Sequence, residues 1–235
     1  MNIKNLANLG LWAPFLLSLV ASTQLSAKVE DTVKETFTTS GSGLLTLELQ
    51  SAGVDIDTYD GSEVSIEITR TLKRGDQDDF DKELKKFDLT FEQSGNDIRC
   101  VMTYDNKRSG WSLFGSRKRL NFKTVVRLPK SFDVHTKTSG GGINLSNLEG
   151  DAELRTSGGG ITMESVDGNV LARTSGGGIR ANNLNGDVEL RTSGRSIKAE
   201  TIAGKLLGRT SGGNITINDV FMEMQTSRPP AALFA

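Results

Sequence analysis

The strongest constraint on this chain is an eighteen-residue unit that occurs five times in succession without insertion or deletion. Every unit carries a Thr-Ser-Gly segment near its middle. The units read DVHTKTSGGGINLSNLEG (133–150), DAELRTSGGGITMESVDG (151–168), NVLARTSGGGIRANNLNG (169–186), DVELRTSGRSIKAETIAG (187–204) and KLLGRTSGGNITINDVFM (205–222). A short fixed period is typical of a solenoid, in which each unit forms one turn and stacks on the next.

The period and the composition of the unit predict which solenoid forms. A unit of this length is too short for two packed helices, and the glycine triplets disfavour a helix through the unit. Apolar or small residues alternate on both sides of the Ser-Gly-Gly-Gly segment, which is strand periodicity. We expect that segment to form a corner with φ > 0, and the Asn-Leu-Glu-Gly segment to form a second corner. The fold class predicted is therefore all-β, a β-solenoid with 18-residue rungs of two short strands each.

Three columns of the repeat are expected to face the interior. The threonines among them can satisfy one another or the corner backbone through their hydroxyl groups. The columns are Ile143, Ile161, Ile179, Ile197, Ile215; Leu148, Val166, Leu184, Ile202, Val220; and Thr138, Thr156, Thr174, Thr192, Thr210.

A fourth column must face water, because burying five stacked cations would cost far too much free energy. Two acids, Glu153 and Glu189, stand two positions before arginines of this column and are expected to pair with them. If the pairing leaves the cations available, the column is a candidate surface for an extended anionic ligand. We call it the basic column; it consists of Lys137, Arg155, Arg173, Arg191 and Arg209.

The N-terminus has the pattern of a signal peptide over residues 1–27. Lys4 precedes the short apolar stretch LGLWAPFLLSLVA (9–21), and small residues before Lys28 offer a cleavage site. The apolar stretch is short for a membrane-spanning helix, and no cysteine stands near the cleavage point to carry a lipid anchor. We expect an exported protein that resides in the periplasm, at the cell surface or outside the cell.

Residues 28–132 are predicted to form degenerate β-strands before the five-rung solenoid of 133–222. Residues 28–62 look like early turns of the same pattern, and an amphipathic helix is expected at 76–87. A hairpin is expected over 87–104 and a strand over 120–128. The sole cysteine, Cys100, is expected to be a buried apolar residue. Residues 223–235 are expected to form a tail that caps the last rung or remains disordered.

A loop at 105–119, DNKRSGWSLFGSRKR, combines basic and aromatic side chains. It is a candidate contact surface for anionic envelope components, such as lipid headgroups or an acidic glycan. The alternative is a solvated loop whose aromatic residues fold back on the sheet. The candidate contact residues are Lys107, Arg108, Trp111, Phe114, Arg117, Lys118 and Arg119.

Motifs for catalysis or cofactor binding are not found in the sequence. The acids of the repeats are scattered over strands and corners, and the single histidine, His135, is expected to be solvated at the surface. No phosphate-binding Gly-Lys-Ser, calcium-binding aspartate turn or Cys/His metal spacing occurs. We expect no catalytic residue, cofactor, metal or nucleic-acid partner. Ice binding is disfavoured, because it would turn the threonines outward and the arginines inward.

The strand EVSIEIT (63–69), the segment VVRLPKSFDVHTKTSGGGI (125–143) and the repeated Thr-Ser-Gly rungs resemble the bacterial "putative adhesin" β-strand-repeat family. This resemblance covers nearly all of the chain after the signal peptide. It implies an exported β-solenoid without known catalytic residues. The function expected is a non-enzymatic cell-envelope module that is structural, adhesive or ligand-binding. The alternatives are a β-helical carbohydrate-active enzyme and an accessory protein in envelope-stress signalling.

Overall fold

The computed structural model describes residues 28–105 and 120–221, and within them the prediction of an all-β chain with one short helix is confirmed. The elements before the repeats are β1 (Val29–Thr38), β2 (Leu44–Leu49), β3 (Ala52–Tyr59), β4 (Glu63–Leu72), α1 (Gln77–Leu84), β5 (Phe87–Ser94), β6 (Asp97–Tyr104) and β7 (Leu120–Pro129). The repeats form β8 (Asp133–Thr138), β9 (Ile143–Glu149), β10 (Ala152–Thr156), β11 (Ile161–Asp167), β12 (Val170–Thr174), β13 (Ile179–Asn185), β14 (Val188–Thr192), β15 (Ile197–Ala203), β16 (Leu206–Thr210) and β17 (Ile215–Phe221).

The two strands of each repeat belong to different sheets. Sheet I has the order β1-β4-β7-β3-β9-β11-β13-β15-β17, and sheet II has the order β16-β14-β12-β10-β8-β2-β6-β5. Successive repeats pair in parallel at an offset of one whole unit, so that Ile161 lies opposite Ile179 and Ala152 lies opposite Val170. Each position of one unit therefore stacks on the same position of the next.

The strands before the repeats correct one prediction. Residues 28–62 are not simply early turns of the pattern, because β1 pairs antiparallel with β4. Strands β2 and β3 do pair in parallel with β8 and β9, as one preceding turn would. Their other edges pair in parallel with β6 and β7, which come later in the chain. Strands β4 and β5 add antiparallel pairs on β7 and β6. Alternating apolar residues indicate a strand but do not indicate its direction.

The helix is shorter than the predicted range 76–87. Asp76 is its N-cap and accepts a hydrogen bond from the backbone N–H of Asp79 at 2.9 Å, so the first helical residue is Gln77. Phe80 is buried beneath the helix, and Phe87 already belongs to β5. The predicted hairpin is confirmed in the antiparallel pairing of β5 with β6. Cys100 lies fully buried in β6, as expected.

The interior contains the predicted aliphatic columns, with one correction. Ile143, Ile161, Ile179 and Ile197 are all buried, but Ile215 is 41% exposed. Val220, the last member of the other aliphatic column, is only half-buried. Both belong to β17, which is the last strand of sheet I among the described residues and is covered from one side only.

The Ser-Gly-Gly-Gly corners contradict the prediction that they supply positive φ angles. None of the glycines in the first three triplets has a left-handed backbone. They are needed instead for close stacking: a Cβ at Gly159 would lie 2.2 Å from the carbonyl oxygen of Gly141. At Gly177 it would lie 2.1 Å from the carbonyl oxygen of Gly159. A side chain at this position would displace the neighbouring corner.

Positive φ angles fall elsewhere in the repeats: on the glycines that end the second corner, Gly168, Gly186 and Gly204, and on a column of polar residues that sequence reasoning did not identify. The second strand of each repeat bends at one polar residue with φ between 54° and 62°. This bend turns the chain before the second corner and keeps the following aliphatic residue inside. The bent residues are Asn147, Ser165, Asn183, Thr201 and Asp219.

Candidate functional site

The five side chains of the basic column stand side by side on sheet II. Arg155 lies opposite Lys137 on one side and Arg173 on the other, and Arg191 lies opposite Arg173 and Arg209. Adjacent strands of a sheet are about 4.8 Å apart, so the column presents one cation at each such step. Lys137, Arg155 and Arg209 are exposed, while Arg173 and Arg191 are half-buried.

The threonine that follows each cation fixes the orientation of the strand. Thr138, Thr156, Thr174 and Thr192 are buried, and because side chains alternate along a strand, the preceding cation points outward. The hydroxyl of Thr174 donates to the carbonyl oxygen of Gly159 at 2.7 Å, and that of Thr192 donates to Gly177 at 2.7 Å. The predicted inward orientation is therefore confirmed for these four threonines, whereas the fifth, Thr210, is only half-buried, although its hydroxyl also donates to the carbonyl oxygen of Arg195 at 2.8 Å.

The predicted pairing with Glu153 and Glu189 is also confirmed. Glu153 pairs with Arg155 at 2.5 Å, whereas Glu189 contacts both Arg173, at 2.9 Å, and Arg191, at 2.5 Å. The hydrogen bond from Arg173, together with the charges of both arginines, holds the pKa of Glu189 below its usual value. Two carboxylates thus engage the three central cations and leave the column with a net positive charge.

The two ends of the column differ from its centre. In the described part of the chain, Lys137 and Arg209 make no ion pair within 4.0 Å. Glu48 on β2 lies opposite Lys137 in the sheet, but its carboxylate binds Arg99 at 2.9 Å. The end cations are therefore the most available for an external anion.

An open groove of about 460 Å³ follows the basic column across five repeats. Sequence reasoning identified its cations but missed its hydroxyl groups, although a serine follows the threonine in every Thr-Ser-Gly segment. The groove is thus lined by one cation and one small hydroxyl side chain for most repeats. Its serines are Ser157, Ser175, Ser193 and Ser211.

A second groove, of about 380 Å³, lies along the outer corner that follows the bent residues. Its polar side chains satisfy one another: the amide of Asn185 donates to Asp167 at 2.9 Å, and that of Asn183 donates to Ser165 at 3.2 Å. We assign no ligand to it.

The remaining candidates have plain structural environments or lie outside the described residues. His135 is exposed, as predicted, and burial raises the pKa of the Cys100 thiol to about 12. Among residues 28–105 and 120–221, no three His, Cys, Asp or Glu side chains are placed to hold a metal ion. The helix within these ranges is too short and polar to cross a membrane.

Part of the prediction falls in segments that the structure does not describe. The contact residues proposed in the 105–119 loop all lie in the undescribed range 106–119. They are Lys107, Arg108, Trp111, Phe114, Arg117, Lys118 and Arg119. The signal peptide of 1–27 and the tail of 223–235 lie outside the described residues as well.

Comparison with known proteins gives structural likeness only. No protein-family model matches the sequence, and no curated protein matches it either. A putative cell adhesion protein from Clostridium sporogenes is similar in structure, with 9% identity, a TM-score of 0.46, and coverage of 80% of this chain and 100% of that one. A putative adhesin from Bacteroides fragilis has 12% identity, a TM-score of 0.31, and coverage of 82% of this chain and 96% of that one. A putative lipid binding protein from Parabacteroides distasonis has 12% identity, a TM-score of 0.28, and coverage of 83% of this chain and 97% of that one. Two of these three are thus described in the same terms as the family that the repeat motifs resemble.

Proposed function

We propose that this chain is an exported, non-enzymatic β-solenoid of the cell envelope, and that it acts as an adhesin-like module by holding an anionic polymer on the basic column. The observation that carries the proposal is the groove itself. It follows five cations placed in register on adjacent strands, and these outnumber the two carboxylates that contact them.

The architecture supports the solenoid part of the proposal. Parallel pairing at an offset of one unit repeats in both sheets, and four successive isoleucines of one column are buried between the sheets. Each repeat buries its apolar side chains by stacking on its neighbours, which is how solenoids obtain a core.

The state of the Glu189 carboxylate beside the basic column favours binding over acid catalysis at this surface. A general acid that works near neutral pH needs a raised pKa, so that its proton is available. The two arginines around Glu189 lower its pKa instead. A carboxylate that stays ionised and paired with two arginines does not have the protonation state that a general acid needs.

Export is supported by the pattern of residues 1–27, which has a lysine, a short apolar stretch and small residues before Lys28. After export, acidic polymers of the envelope would be the ligand class that suits an extended basic groove. Whether the protein stays in the periplasm or reaches the surface is decided by fractionation of cells that produce the full chain.

Charge reversal tests the proposed surface. The double variant R173E/R191E should leave an immobilised dextran sulfate column at a clearly lower salt concentration than the wild type, because it reverses two central cations. The matched control R180E/K198E makes the same change in net charge on the outer face of sheet I, where Arg180 and Lys198 lie opposite each other. Equal elution of the two variants would remove the basic column from the function.

A further inference from the structure

We propose that the polymer held by the basic column is an acidic polysaccharide with a negative charge on each sugar, which lies across the strands along the direction in which they stack. This inference rests on the proposed function, since it names the ligand class of the same groove. Three features of the groove support it: its spacing, its hydroxyl groups and its partial neutralisation.

The spacing of the cations matches a sugar chain. Arg155, Arg173 and Arg191 stand opposite one another on adjacent strands, so the charge repeats about every 4.8 Å. One hexose of an extended glycan has a similar length, so a chain of about five charged sugars spans the five cations of the column. Directly linked phosphates repeat at a shorter interval, so a longer run of them is needed to span the same row.

The hydroxyl groups of the groove also fit a sugar. Beside the cations, Ser157, Ser175 and Ser193 each offer a hydroxyl group that can donate or accept a hydrogen bond. A glycan presents hydroxyl groups at each residue to meet them. The described residues that line the groove include no aromatic side chain, and single-stranded nucleic acids are held largely by stacking of bases on such side chains.

Partial neutralisation makes the length of the ligand decisive. Glu153 and Glu189 compete with a ligand for the three central arginines, so each contact with the polymer is weak. Tight binding then requires several contacts at once, and five cations allow five of them.

Binding of oligosaccharides of defined length to the purified protein tests this inference. The probes are β-1,4-linked mannuronate oligomers at low ionic strength, with the neutral mannose oligomers of equal length as controls. We expect the affinity to rise roughly twofold to fivefold with each added charged sugar, as for exposed ion pairs. The rise should end at about five sugars, the number of cations in the column. The neutral oligomers should bind at least tenfold more weakly than the longest charged ones.

Two further probes separate this inference from the function on which it rests. Linear polyphosphate and vesicles of anionic phosphatidylglycerol are measured with the wild type, R173E/R191E and R180E/K198E. If polyphosphate or vesicles bind as tightly as the acidic glycan, or if the glycan affinity keeps rising beyond five sugars, the glycan assignment is wrong. The proposed function survives that result when binding still depends on Arg173 and Arg191. If no anionic probe distinguishes R173E/R191E from R180E/K198E, both proposals fall.

Discussion

Single residues decide which groups this protein shows to its surroundings. Outward cations and inward threonines could be predicted from the sequence, since side chains alternate along a strand and a row of five cations cannot be buried. The left-handed bends could not be predicted from the sequence, because a polar residue at an outward position is equally compatible with an extended and a left-handed backbone. Asn147 and Asn183 were the available hint, since asparagine is enriched in that conformation.

Thr201 is the least favourable occupant of the left-handed column. A β-branched residue with φ of 54° is strained, and asparagine adopts this conformation more readily. We expect T201N to raise the free energy of unfolding by roughly 1 kcal/mol, measured by urea denaturation. T162N is the control, because Thr162 lies in β11 without a positive φ, and there the substitution should not stabilise. Equal effects of the two variants would show that the backbone conformation is not the cause.

Glu189 couples the basic column to pH. The pKa of Glu189 in the folded protein is lowered from the ordinary 4.5. Its ion pairs therefore stabilise the folded state at neutral pH. This stabilisation is lost as the pH falls through the lowered pKa. Protonation also releases Arg173 and Arg191 for an external anion. We therefore expect retention of the wild type on dextran sulfate, which keeps its charge in acid, to increase as the pH is lowered below about 4.5.

The variant E189Q isolates this effect. At neutral pH it should need more salt for elution than the wild type, and its retention should rise less on acidification, because both arginines are already released. Weaker retention of E189Q at neutral pH would mean that the carboxylate orients the arginines for binding instead of competing with the ligand.

Among the elements, the corners show where sequence reasoning found the right segment for the wrong reason. The glycine triplets mark the corners, but they are required by contact between neighbouring repeats, which is not visible within one unit. The fourth unit carries Arg195 at the position of Gly177. There the hydroxyl of Thr192 accepts from the N–H of Gly194, two residues on, whereas Thr156 accepts from Gly159, three residues on. In the fifth unit, which has Gly213 at this position, Thr210 accepts from both Gly212 and Gly213, so the two-residue hydrogen bond is not specific to the larger residue.

This contact predicts different outcomes for two glycine substitutions. G159A places a methyl group 2.2 Å from the Gly141 carbonyl oxygen and should lower the free energy of unfolding by about 1–3 kcal/mol. G53A is the control, because a Cβ there has no neighbour within 4 Å, and it should be neutral or slightly stabilising. Thermal or urea unfolding measures both, and equal losses would show that stacking at the corner is not the reason for the glycine.

On the scale of the whole molecule, the two ends of the sheets differ. At one end antiparallel strands β1 and β5 form the edges, with α1 leading into β5. At the other end the last described repeat exposes apolar side chains, with Ile217 49% and Phe221 61% exposed. The direction of strands before the repeats could not be predicted, because their pairing depends on partners far away in the chain.

The exposed end should open first. Among the strands that the structure describes, β16 and β17 each have one neighbour in their sheet, so they lose less contact on separation than the central strands β12 and β13. We expect hydrogen exchange of the backbone amides in 206–221 to be at least tenfold faster than in 170–185. Equal protection of the two ranges would show that the last repeat has a covering partner in solution.

The register of one whole unit between neighbouring strands has one more consequence, which concerns how such a protein changes over generations. Duplicating a single unit inside the array would add two strands, leave every existing side chain on its own side, and lengthen the row of cations by one step. Deleting a unit would shorten the row in the same way. The number of units thus sets the length of the row of cations. With it changes the length of the polymer that the proposed surface can hold, while each single contact stays the same.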